Sequence, residues 1–218
     1  MKFISLLFFF GIFLFFGCNN SMKKETEPAI ETDNIENTSS EVPPKEESIT
    51  IEKIAELAKN GNLSSEFPES EMQMEIVSMN EGMDSVKMIR LNRDSENEVR
   101  IDFRPKDSTK VFRVTIVGKK NKFHSETGVK LGMNVDELNS LNRKPIDFYG
   151  FGWDFGGAVK FNDGELDTKQ IRVYVKTDKK YGNQFLGDTP HTFEEAKAAK
   201  LELYVNKIIF EPSKSTQL

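Results

Sequence analysis

One cysteine and two histidines are all that the 218 residues offer of the side chains most used in metal and thiol chemistry. A single cysteine cannot close a disulfide within the chain or build a cysteine cluster, and two histidines leave almost no room for a zinc site. A basic excess is also missing. The formal net charge is −5, which argues against a nucleic-acid binder, since such proteins carry surplus cations to displace counterions from phosphates. Long apolar runs are scarce as well: the longest, residues 3–16, has 14 residues, short of the roughly 20 that a membrane-spanning helix needs. With 218 residues, one modest domain or two small ones fit, and a multidomain enzyme does not.

What is present begins with an address. Met1 and Lys2 precede the apolar run, and Gly17 and Cys18 follow it, the pattern of a secretory signal peptide over residues 1–17 with cleavage between Gly17 and Cys18. Residues 19–49 then hold eight acids, three bases, three prolines and no aromatic residue. Such a stretch buries too little apolar surface to offset its ordering entropy, so residues 18–49 read as an acidic, disordered tether. Residues 50–218 carry 26 bases against 27 acids, which makes the net acidity a property of the tether.

From Ile51 the pattern changes to that of a folded α+β domain, short helices packed on antiparallel sheet. Ile51, Ile54, Ala55, Leu57 and Ala58 recur at helical spacing, with Thr50 as N-cap and Asn60-Gly61 as the stop. Strands are expected at 86–91, 98–104 and 111–117, with a turn over Pro105 to Thr109. A second helix starts at the capping pair Asn134 and Glu137, buries Val135, Leu138 and Leu141, and ends before Pro145. Strands follow at about 148–161 and 170–176, joined by a hairpin at Asn162-Asp163-Gly164. A third helix at 193–200 is capped by Thr192 and Glu195, and residues 201–210 close the sheet. Both halves, 50–126 and 127–212, run helix then strands, which raises the expectation of two helix-plus-sheet repeats.

Phe15-Phe16-Gly17-Cys18 resembles the lipobox of bacterial lipoproteins, and the resemblance implies diacylglycerol on the Cys18 thiol and anchorage to a membrane. By the sorting of Gram-negative lipoproteins, Asn19 then implies the outer membrane, on its periplasmic or surface face. Gly132-Met133-Asn134-Val135-Asp136-Glu137-Leu138 resembles the loop-to-helix motif of BamE/SmpA-type lipoproteins and of the β-lactamase inhibitor protein. That resemblance implies a non-enzymatic module that binds another protein.

The stretch most suggestive of function runs from Tyr149 to Gly157. As one strand it puts Tyr149, Phe151, Trp153 and Phe155 on one face and glycines with Asp154 on the other. The rings are either core under the helices or a platform for a protein partner, with glycines allowing close backbone approach. A small-molecule, glycan or lipid site around Trp153 is the alternative. No acid, base or serine signature is tied to Asp154, so a hydrogen bond to loop amides is expected of it rather than catalysis. No cofactor and no metal is expected, and Asn162 to Asp167 reads as a solvated turn, not a cation loop. His124 and His191 are expected at the surface, Lys119, Lys120 and Lys122 in a solvated loop. Met72, Met74, Met79, Met83 and Met88 serve as core filler or adaptable contact surface.

Overall fold

The computed structural model describes residues 49–79 and 84–212. The signal segment, Cys18 and the tether up to residue 48 lie outside these, as does Met83.

The chain opens with α1 (Ile51–Lys59), whose first turn is held by the Thr50 hydroxyl accepting from Lys53 N at 3.2 Å. It stops at Asn60 and Gly61, the latter at φ 71°, where a side chain would be strained. The expected stripe of Ile51, Ile54, Ala55, Leu57 and Ala58 is buried, and each large member contributes about 1.5–3 kcal/mol through the apolar surface it takes from water. Ile49, assigned to the tether, already packs on this core.

Four strands follow as a meander: β1 (Met72–Met79), β2 (Asp84–Leu91), β3 (Val99–Arg104) and β4 (Asp107–Val117), each antiparallel to the next. Val99, Ile101, Val114 and Ile116 supply the inward face. β1 is a strand that the sequence reading left out. It lies at the sheet edge, where Met72 still packs on the core but Met74 and Ile76 of the same alternation are exposed.

The second half begins with α2 (Val135–Asn142), where both hydrogen bonds of the Asn134–Glu137 capping box are formed, at 2.9 and 3.0 Å. Arg143 ends it in the left-handed region at φ 55°. The expected strand at 148–161 is not one strand. Only β5 (Asp147–Tyr149) and β6 (Val159–Lys160) are extended, and a looped segment separates them. Next come β7 (Ile171–Lys176), β8 (Pro190–Thr192), α3 (Phe193–Ala198) with its Thr192–Glu195 capping box, and β9 (Tyr204–Phe210).

The six-stranded sheet runs β1-β2-β3-β4-β9-β7, antiparallel throughout, and a second sheet of three strands runs β6-β5-β8. The two halves therefore share one large sheet. They are not copies in topology: the first is a meander, whereas the second divides its strands between two sheets. Nor does Asn162-Asp163-Gly164 close a hairpin, since β6 and β7 belong to different sheets. Asn162 and Asp163 both take positive φ there, 55° and 56°. The connection is pinned by buried Asn142, which donates to the carbonyls of Phe161 (2.8 Å) and Lys144 (3.0 Å) and accepts from Leu166 N (3.2 Å). A Cβ on Gly164 would collide with the Asn142 amide.

Candidate functional site

The loop between β5 and β6 is fixed at both ends by glycines that let backbones meet. Gly150 N donates to Thr189 O (3.0 Å), and a Cβ there would stand 2.6 Å from Gly187 O and 2.8 Å from Phe185 O. Gly157, at φ 77°, donates to Tyr149 O (3.0 Å) and accepts from Val175 N (2.8 Å), and a Cβ would collide with Val175 O. The close approach expected of these glycines is thus realised at residues 150 and 157. Between them, Phe151 pairs with the 185–187 segment through Phe151 N to Phe185 O (2.6 Å) and Gly187 N to Phe151 O (3.0 Å).

The four rings do not share a face, because residues 152–157 turn instead of extending. Phe151 is 7% exposed and points inward, its ring 5.6 Å from Phe148 and 4.9 Å from Tyr181. Trp153 and Phe155, by contrast, are 69% and 56% exposed on a turn closed by Gly156 N donating to Trp153 O (2.9 Å). Tyr149 is half-buried, with its ring 5.6 Å from that of Phe155. Leu186 and Tyr181 are also exposed, and a Cβ on Gly152 would touch the Leu186 side chain at 3.5 Å. The result is a patch of large apolar groups on a tightly tied backbone, beside a depression of about 220 Å³ lined by Phe151, Gly152, Val175, Thr177, Tyr181 and Asn206.

Asp154 is exposed and, among the described residues, makes none of the loop hydrogen bonds expected of it. His191 is not a surface residue: its side chain is wedged by Phe148 and Phe185, with ring centroids 5.9 and 4.9 Å away, and its Nδ1 lies 3.5 Å from Glu195. His124 is half-buried, its carbonyl accepting from Ile51 N at 3.0 Å. Lys119 pairs with Asp178 at 2.9 Å and lies over the Tyr204 ring, while Lys122 lies over Phe123. Asp178 is held below the usual carboxylate range by the hydrogen bonds from Lys119 and Tyr204. Among the described residues, no cluster of three or more His, Cys, Asp or Glu side chains has the geometry to hold a metal ion.

Sequence reasoning missed Leu186 and Tyr181, which lie some 30 residues downstream. Their one signal was that each is a large apolar residue in a Gly-rich, polar connection (YGNQFLGD).

The fold and the patch together define an α+β domain that displays aromatic side chains on a loop tied at both ends by backbone hydrogen bonds. No protein-family model, curated protein or solved structure matches the chain.

Proposed function

We propose that this chain is a lipid-anchored protein of the cell envelope, tied to the outer membrane through Cys18, whose α+β domain binds another protein through the Trp153 loop. The carrying observation is the exposure of Trp153 and Phe155 on a backbone fixed by Gly150 and Gly157. Large rings held in place before binding lose little conformational entropy on association, and such residues dominate interface energetics. Leu186 and Tyr181 extend the patch. The neighbouring depression of about 220 Å³ is smaller than the roughly 300–1,000 Å³ of typical small-molecule pockets, which favours a protein surface over a ligand site. The lipid anchor rests on the sequence around Cys18.

Two readouts test the reading. Labelled palmitate should enter the wild-type chain and not Cys18→Ser. In cross-linking from intact envelopes, a discrete partner should be captured by the wild-type chain and lost in Trp153→Ala with unchanged circular dichroism. Labelling of Cys18→Ser would overturn the anchor, and a partner retained in full by Trp153→Ala would overturn the binding surface.

A further inference from the structure

The six-stranded sheet has a second face, away from the main core, and its side chains form a row across the strands. Arg100 on β3 stands opposite Thr115 on β4, Thr115 opposite Ile209 on β9, and Ile209 opposite Arg172 on β7. Side chains two residues apart share a face, which adds Asp102, Arg113, Lys207 and Glu211. Ile209 is buried yet lies outside the core cluster.

Charge on this face is unbalanced. Arg100, Arg113, Arg172 and Lys207 stand against two carboxylates, Asp102 and Glu211. Asp102 lies 2.5 Å from Arg113 and 3.4 Å from Arg100, and Glu211 pairs with Arg172. Beside it, Arg90 on β2 and Arg93 are paired with Glu75, Asp94 and Glu98, a cluster of two bases and three acids that offsets only part of the surplus. Lys207, over the Tyr174 ring, is held below the usual lysine range by burial and then by Arg172, Arg113 and Arg100.

Hydrogen bonding is unbalanced in the same place. Among the described residues, four buried side-chain polar atoms make no hydrogen bond, Arg100 Nε, Thr115 Oγ1, Arg172 Nε and His191 Nε2, although Arg100 Nε has the Asp102 carboxylate 3.4 Å away as an ion pair. Three of the four lie in this one row. Each can donate, and a buried donor left without an acceptor is costly, most plainly at Thr115 Oγ1 and Arg172 Nε. Thr115 is 5% exposed and, with Arg100, Ser95, Glu98 and Val117, lines a hollow of about 210 Å³. The Glu98 carboxylate is already occupied, by Arg90 at 2.7 and 2.8 Å and by Asp94 N at 2.9 Å.

Surplus donors and surplus positive charge ask for the same thing, an anion rich in acceptor oxygens. We propose that this face binds a phosphate group, free or as a phosphate ester, seated at Thr115 and Arg100 with Arg113, Arg172 and Lys207 supplying the surrounding field. Several acceptor oxygens suit converging guanidinium and hydroxyl donors.

The test uses the full chain in non-ionic detergent at low salt, titrated by calorimetry with inorganic phosphate and, separately, with glycerol 3-phosphate as a soluble lipid-headgroup equivalent. Saturable binding is expected for at least one of them, with a rise in Tm and in the Lys207 pKa read by NMR. Tighter binding of the ester assigns a headgroup source, and tighter binding of the ion a free one. Thr115→Val is near-isosteric and removes an unpaired buried hydroxyl, so it should fold as well as wild type while binding about tenfold more weakly, one charge-assisted hydrogen bond converted at 1.4 kcal/mol per decade. The double variant Arg100→Gln/Arg172→Gln should not bind. No saturable response to either probe, or affinity unchanged in both folded variants, would overturn the proposal.

Discussion

Asn142 shows how much one side chain can hold. Its amide joins the end of α2 to the connection leaving β6, through the carbonyls of Phe161 and Lys144 and the amide of Leu166. Leucine has similar volume but no polar atoms, so Asn142→Leu would strand three backbone groups in a buried place. A loss of about 3 kcal/mol is expected, read as a shift in the denaturant midpoint at unchanged slope. Nothing in the sequence marked Asn142, which reads as an ordinary polar residue near a helix end. The capping pairs were legible because their partners lie three residues apart: Asn134 with Glu137 and Thr192 with Glu195. The Asn142 partners lie up to 24 residues away. His191 differs from its expected surface place for the same reason, since Phe148 and Phe185 reach it from distant segments, whereas Asp154 is exposed because residues 152–157 turn.

The elements differ in how they answer to local rules. α1, α2 and β3 lie where periodicity puts them, because each carries a stripe of apolar residues, and α3 starts where its Thr192–Glu195 cap puts it, whereas β9 begins at Tyr204 and not at residue 201. β6 is two residues long, and its neighbours Gly156 and Gly157 serve a turn and a backbone contact that alternation alone does not reveal. The β3–β4 hairpin illustrates an element under pH control. Lys106 takes φ 68° at the turn, and Asp107, the first residue of β4, accepts from Thr109 N at 3.2 Å and from its hydroxyl at 2.6 Å. Hydrogen bonds from the Thr109 and Lys110 side chains hold its carboxyl down at about 2. A carboxyl lowered in the folded state adds stability above its unfolded pKa of about 3.9, and that stability is lost as pH falls toward the folded value. Amide protection at Thr109, exchange measured against its intrinsic rate, should therefore fall between about pH 4 and pH 2, and Asp107→Asn should remove this pH dependence. Because the group is solvent-exposed, the effect belongs to the hairpin tip, not to global unfolding.

At the scale of the whole molecule the decisive feature is the position of β9. The last strand in the chain sits between β4 and β7, paired with both, so the sheet cannot close around its core until residues 204–210 are in place. Val205 and Ile208 are fully buried, and Gly132 N and Met133 O both bond to Val205, tying α2 to the same strand. A chain ending at Leu203 is expected to lack cooperative unfolding by calorimetry and to bind hydrophobic dye. Removal of Pro212 and the residues after it should leave the transition intact. Such long-range pairing also predicts folding slower than that of a local meander of equal size.

By itself the sequence determined the class of the fold, the three helices with their caps and most of the large-sheet strands. These depend on spacings of two to four residues, where local sterics, capping and apolar periodicity decide the outcome. It also supplied the reading of the first 49 residues, which rests on composition and order alone. Tertiary structure decided the rest: the insertion of β9 between β4 and β7, the break of the aromatic stretch into a core ring at Phe151 and displayed rings at Trp153 and Phe155, and the row that sets Arg100, Thr115 and Arg172 side by side across the sheet. Each of these brings together residues far apart in the chain, and register across strands, not any short pattern, sets which of them meet.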